Sequence, residues 1–112
     1  MDFYILKNGK IKKATDQEYA ELQIAQPNWR RVDFTSINGE VEVSTVFLSI
    51  DHNWQDPGGP PILFETMVFG GEYNQYHRRY SNLGMAKKGH WQIVDALSEG
   101  RPPESCFPSG LL

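Results

Sequence analysis

Three polar residues able to contact a ligand, Asp51, His52 and Asn53, follow one another where an apolar run ends, and Trp54 comes next. The loop beyond them contains three prolines and two glycines, which exclude regular structure. Side chains at such a junction of strand and rigid loop are often held ready for a ligand. In the simpler interpretation, Asp51 and Asn53 bond neighbouring backbone amides and His52 ends the strand.

A carboxylate and an imidazole, Glu65 and His90, form a second candidate site. Glu65 is the lone charge in an apolar strand, and His90 lies on the apolar face of a predicted C-terminal helix. If that helix packs on the Glu65 side of the strand, the two groups meet, and burial with mutual attraction shifts both pKa values toward neutrality. With His52 they would serve as acid and base in a small hydrolase. In the simpler interpretation, Glu65 is structural and His90 is a hydrogen-bonded core residue.

Residues 72–80 interleave tyrosines with arginines, and Lys87 and Lys88 follow soon after. Aromatic rings stack on bases, and arginine pairs with phosphates or carboxylates, so the segment is a candidate contact surface for a nucleotide or an acidic protein. The alternative is a solvated loop whose tyrosines cover a sheet edge. The residues that we assign to ligand binding are Asp51, His52, Asn53, Trp54, Tyr76, Arg78, Arg79 and Tyr80.

Metal, phosphate and nucleophile motifs have weaker support. A metal ion would need three or more ligands, for which Asp51, His52 and His77 are the candidates, but their spacing matches no metal-binding motif. The glycines of the 51–61 loop are not followed by Lys-Ser/Thr, and no serine has Gly-x-Ser-x-Gly surroundings. We expect neither a metal nor another cofactor.

Length and composition indicate one folded domain. The 112 residues are 39% hydrophobic and 12% aromatic, and the net charge of -3 provides no basic footprint for duplex DNA. Cys106 is the single cysteine, which excludes an internal disulfide and fits a reducing cytoplasm. No stretch of 18 apolar residues occurs, so we expect a soluble protein with no membrane segment.

Turn and capping signals predict the secondary structure. The Asn-Gly pairs at 8–9 and 38–39 favour two β-hairpins, Thr15 and Glu18 have capping-box spacing, and Ser81 is a candidate N-cap. The predicted strands cover residues 3–6, 10–14, 31–37, 40–50 and 62–69, and the predicted helices cover residues 16–25 and 82–98.

We therefore predict a single α+β domain over residues 1–100. It has an antiparallel sheet of four to five strands, one short helix and a longer C-terminal helix packed on one face. Residues 101–112 form a loosely ordered tail. The strands at 40–50 and 62–69 are apolar on both sides, and a second face left exposed is too apolar for a monomer. This favours a homodimer.

Several sequence motifs occur in an order that carries a resemblance. They are Arg-Arg-Val at 30–32, STVFL at 44–48, DHN at 51–53, GPP at 59–61, LFETMVFGG at 63–71, RYS at 79–81 and Gly-His at 89–90. In this pattern the chain resembles a widespread family of small, mostly uncharacterised proteins encoded by bacteriophages and prophages. The resemblance spans about residues 30–95. It implies an accessory protein in the cytoplasm of an infected bacterium, and it carries no established catalytic residues.

The chain departs from that family pattern at two places. Relatives usually have a glycine near the position of Ser49, and acidic residues after the Tyr-Ser that precedes the last helix. Here Asn82, Leu83 and Gly84 follow instead, so the helix start lacks acidic residues that would suit the helix dipole.

These features predict a non-enzymatic viral binding protein that inhibits host defence, as an anti-CRISPR protein does. It would either grip a defence protein complex or sequester a nucleotide signal. The alternative is a small acid/base or metal-assisted hydrolase that uses Glu65, His90 and His52.

Overall fold

The computed structural model describes residues 3–56 and 58–106, and these form an α+β fold, as predicted. A short helix follows the first two strands, and a longer helix follows the last four. In chain order the elements are β1 (Phe3–Lys7), β2 (Lys10–Ala14), α1 (Asp16–Ala25), β3 (Arg31–Ile37), β4 (Val41–Phe47), β5 (Phe64–Phe69), β6 (His77–Tyr80), α2 (Leu83–Ser98) and the 3-10 helix Pro103–Cys106.

The strands form two antiparallel sheets. Strands β3 to β6 make a four-stranded sheet in the order β3-β4-β5-β6, and β1 pairs with β2 in a separate hairpin. The backbone amide of Tyr4 donates to the carbonyl of Ser49 at 2.8 Å, which ties the hairpin to the chain just beyond β4. Both Asn-Gly turns form as predicted, since Asn8 and Asn38 adopt positive φ together with their glycines.

Helix α1 begins with the predicted capping box. The Glu18 amide donates to Thr15 Oγ1 at 3.1 Å, and the Thr15 amide donates to Glu18 Oε1 at 3.0 Å. Hydrogen bonds from Lys12 and from the Thr15 amide lower the pKa of Glu18 to about 2. The helix buries none of its residues, and it meets β1 through a stack of Phe3 on Tyr19.

Helix α2 begins one residue later than predicted. The N-cap is Asn82, whose side chain accepts from the Met85 amide at 2.8 Å, and the prediction of Ser81 was wrong. The helix ends at Ser98, and Gly100 follows in the left-handed region at φ 74°.

Strand β6 was not predicted, because residues 72–80 were interpreted as a contact loop. Its four residues include two arginines and show no apolar alternation that would mark a strand.

The turn that leads into β6 depends on glycine. A Cβ on Gly70, at φ 89°, would lie 2.4 Å from the carbonyl oxygen of Glu40, so a side chain there is excluded.

The core lies between the four-stranded sheet and α2. One buried cluster centres on Phe47, Leu63 and Phe64, and another joins Val43 and Val68 to Ile93. Helix α2 contacts all four strands of this sheet, whereas α1 contacts β1 and β2. Among the described residues, neither α-helix combines the length and apolar character needed to cross a lipid bilayer.

The predicted loosely ordered tail falls partly within the described residues. Pro103–Cys106 form a 3-10 helix that packs on α2, and Pro103 is fully buried. Residues 107–112 lie outside the described part of the chain.

Candidate functional site

The loop after β4 is held by side chains that bond its backbone. Asp51 Oδ1 accepts from the amides of Asn53 and Ile62, each at 2.8 Å. The Asn53 side chain accepts from the Asp56 amide at 3.1 Å and donates to the carbonyl of Pro60 at 2.9 Å. Two of the predicted ligand residues therefore brace the loop, in line with the turn-chemistry interpretation.

His52 and Trp54 differ in how they are placed within this braced loop. His52 Nδ1 lies 2.6 Å from the carbonyl oxygen of Ile50, so this nitrogen carries the proton and donates. The His52 ring lies 5.2 Å from the Trp54 ring, centroid to centroid. Trp54 is 72% exposed. The loop thus presents a large apolar side chain to solvent, while the side chains of Asp51, His52 and Asn53 bond its backbone.

His90 is fully buried between α2 and the sheet. Its Nδ1 lies 2.8 Å from Thr45 Oγ1, and its Nε2 lies 2.9 Å from Thr35 Oγ1. Thr45 Oγ1 is also hydrogen-bonded to Thr66 Oγ1. A hydroxyl group can donate or accept a hydrogen bond, so these threonines satisfy either neutral tautomer of the imidazole. His90 is a hydrogen-bonded core residue, in line with the simpler interpretation.

The predicted meeting of Glu65 with His90 was wrong. Glu65 lies between Val46 and Arg79 in the sheet register, on the face away from α2, whereas its neighbour Thr66 points toward the helix. The error was the choice of strand face, because successive side chains of a strand point to opposite sides. Glu65 Oε2 instead accepts from Arg79 Nε at 2.9 Å.

The Tyr-Arg segment is divided by the same alternation. Tyr80 is buried on the helix side, and Arg78 occupies the same face, whereas Arg79 points to the opposite face. Tyr76 packs against the Val43 and Ile93 cluster. The four residues that we assigned to one nucleotide surface thus lie on two sides of the sheet.

A row of polar side chains crosses the helix-facing side of the sheet, and sequence reasoning missed it. Direct register pairs join Asp33 to Thr45, Thr45 to Thr66, and Thr66 to Arg78, one residue from each strand. The sequence signal for this row was the presence of threonines among apolar residues at strand positions that face the core. Pairing across strands was needed to show that they form a line under His90.

Burial lowers the pKa of His90, and the nearby Asp33 carboxylate opposes this shift. Asp33 Oδ1 lies 3.9 Å from His90 Nε2. Because desolvation penalises the charged form, the imidazole is neutral at pH 7. A neutral, fully bonded histidine with no solvent access is suited to holding the helix on the sheet and cannot take a proton from a substrate in solution.

The described residues do not form a set of ligands for a metal ion. Within residues 3–56 and 58–106, no group of three or more His, Cys, Asp or Glu side chains is placed to hold a metal ion. In particular, the candidates Asp51 and His52 are engaged with loop backbone, and His77 begins β6.

The fold and these sites define a small α+β protein with one braced loop and one sheet face free of α2. Comparisons of the chain with protein-family models, with curated proteins and with solved structures found no match.

Proposed function

We propose that this chain is a non-enzymatic binding protein whose braced loop presents Trp54 to a protein partner. The observation that carries the proposal is the contrast within the loop. Asp51 and Asn53 make four side chain to backbone hydrogen bonds, while Trp54 remains 72% exposed. Tryptophan is among the residues that most often dominate binding energy at protein interfaces.

Bracing the loop makes Trp54 more effective as an anchor. A loop that is already ordered loses less conformational freedom when a partner binds, so more of the contact energy remains as affinity. Loop shape and exposed anchor together support recognition of a surface rather than chemical turnover.

The hydrolase alternative loses its acid/base pair. Glu65 and His90 lie on opposite faces of the sheet, and both ring nitrogens of His90 are hydrogen-bonded within the core. Sequestration of a nucleotide is also less favoured, because Arg79 and Tyr80 point away from each other. A protein partner is the interpretation that we carry forward.

The biological setting of the proposal comes from the sequence resemblance. The chain acts in the cytoplasm of an infected bacterium, binds a host defence protein complex and so inhibits it. A homodimer is part of the same proposal, because one sheet face carries apolar side chains outside the core clusters.

The proposal is tested by measuring whether the chain overcomes a bacterial defence system in living cells. Bacterial strains that each carry one defined defence system are challenged with a phage that the system blocks, with and without expression of the chain. We expect plating to be restored in one strain and lost again with Trp54→Ala. Affinity for the protein component of that system should fall about thirtyfold, the loss expected for a hot-spot residue worth about 2 kcal/mol.

Ile24→Ala is the matched control, because Ile24 is 84% exposed and lies on α1. Both variants remove exposed apolar atoms, so both should unfold within about 0.5 kcal/mol of the parent chain. Plating unchanged by Trp54→Ala would contradict the role of the loop. Plating restored in none of the strains, or a cyclic nucleotide cleaved by the purified chain, would contradict the wider proposal.

A further inference from the structure

The sheet face opposite α2 is built from three rows of side chains that follow the strand register. The first row runs Arg31, Val46, Glu65, Arg79, and the middle row runs Phe34, Ser44, Met67, His77. The third row runs Ser36, Glu42, Phe69. We call this surface the open face.

Apolar side chains on the open face are accessible to solvent. Phe34 is 40% exposed and Phe69 is 45% exposed, while Val46 and Met67 are half-buried. The matching positions on the other face, such as Val43 and Phe47, are fully buried under α2. Exposed apolar side chains that share one face are a feature of association surfaces.

Charge is unevenly placed along the strands of the open face. Arg31 and Arg79 lie at one end, with Glu65 between them already paired to Arg79. Glu42 lies at the other end, in the row that contains Phe69. The Arg31 guanidinium lies over the Phe34 ring, 4.8 Å from its centroid, which directs the charge across this face.

From this layout we infer that the open face binds the open face of a second copy. A twofold axis along the middle row places the first row of each copy opposite the third row of the other. Each Arg31 then meets the region of the partner's Glu42, and the middle rows, which contain Phe34 and Met67, meet each other. Such a contact is isologous and closes after two copies, so it yields a dimer rather than a fibre.

Packing distances allow these charges to meet. Two sheets pack face to face about 10 Å apart, and neighbouring strands lie about 4.8 Å apart, within reach of arginine and glutamate side chains. A face of four strands of this length covers roughly 400 Å² in projection per copy. This is small for a specific interface, so the dimer should dissociate on dilution.

The interface depends on the homodimer included in the proposed function, and a charge-exchange experiment tests each separately. Sedimentation of the full chain is measured from low micromolar to millimolar concentration. Arg31→Glu and Glu42→Arg should each raise the dimer dissociation constant about tenfold, because each places like charges together. The double variant should recover most of the affinity, since it exchanges the two charges. Lys88→Glu, an exposed change on α2, is the control and should leave dimerisation unchanged.

Two outcomes overturn the inference in different ways. A dimer that neither single reversal weakens, or that the double variant fails to recover, uses another surface, which overturns the interface but leaves the homodimer. A chain that stays monomeric at millimolar concentration overturns both. Circular dichroism of each variant shows whether the fold is retained. All these charges are at exposed positions, and Trp54 is unchanged throughout, so the partner-binding test remains independent.

Discussion

The two faces of the four-stranded sheet are made by alternate residues of the same strands, yet they obey different rules. On the face covered by α2, Val43, Thr45 and Phe47 have no exposed area. On the open face of the same strand, Ser44 and Val46 remain half-buried. Side chains on the covered face must fit against α2, whereas side chains on the open face are free to carry charge.

Polar groups show the difference most clearly. The covered face holds its polar side chains as a hydrogen-bonded line of threonines with a neutral His90. The open face holds an ion pair, Glu65 with Arg79, whose side chains keep 14% and 37% of their exposure. Because water reaches these two side chains, both can remain charged. It also limits what such a pair contributes to stability.

The largest effect that separates the faces is the loss of an aromatic ring. Phe47→Ala should lower the free energy of unfolding by about 3 to 5 kcal/mol, because it opens a cavity in a fully buried cluster. Phe34→Ala removes the same atoms from a side chain that is 40% exposed and should cost under about 1 kcal/mol. Urea denaturation at low protein concentration, where the proposed dimer would be dissociated, measures both.

Similar costs for the two variants would mean that the open face is packed as tightly as the covered one. A large cost at Phe34 that appears only at high protein concentration has another meaning. It would indicate that a second copy covers this face, and the two concentrations therefore distinguish intrachain from interchain packing.

Local signals were sufficient for much of the fold. The Asn-Gly turns, the capping box and the bounds of β3 and α1 agree with the structure because they depend on residues close together in the chain. The strands at 40–50 and 62–69 were predicted too long. Leu48, Ile50 and Ile62 are apolar and β-prone but lie outside the strands, so propensity alone did not mark where each strand ends.

The candidate site was less predictable because it depends on which residues face each other across strands. Glu65 and Thr66 are adjacent in sequence, and a choice of face decided which of them would meet His90. The sequence pattern offered apolar residues on both sides of β5, so it did not identify the covered side. The loop that contains Trp54 was predicted correctly as a loop, since turn-forming residues act locally.

The second prediction concerns pH and the neutral histidine of the covered face. The folded-state pKa of His90 lies below the ordinary value of 6.5, so the unfolded chain binds this proton more readily. The contribution to stability is therefore complete above pH 6.5 and decreases as pH falls below it. Between pH 7 and 5 the slope should approach at most about 1.4 kcal/mol per pH unit.

Denaturation at a series of pH values checks this slope, and His90→Gln is the comparison. The variant lowers stability by itself, but it should remove the part of the slope that belongs to His90. An unchanged slope in the variant would assign the pH dependence to other groups. It would also show that the covered face accommodates a charged imidazole.

The smallest predicted effect concerns a substitution at Ser49. It tests whether the burial of a side chain or the quality of its fit determines how its removal changes stability. Ser49 is buried at 1% exposure, has no hydrogen-bond partner for Oγ among the described residues, and adopts φ 68°. Glycine accepts this backbone conformation without strain, and its substitution removes the unpaired hydroxyl. Ser49→Gly should therefore raise stability by about 1 kcal/mol, net of the added freedom of the unfolded chain.

Asn38→Gly is the control for this last variant, because Asn38 has a similar φ of 54° but is exposed and asparagine tolerates that region. It should change the midpoint of thermal unfolding little, while Ser49→Gly raises it. A lower midpoint for Ser49→Gly would mean that the hydroxyl has an unseen partner. A higher one shows that, at a buried position, losing a side chain stabilises the chain when that side chain fits poorly.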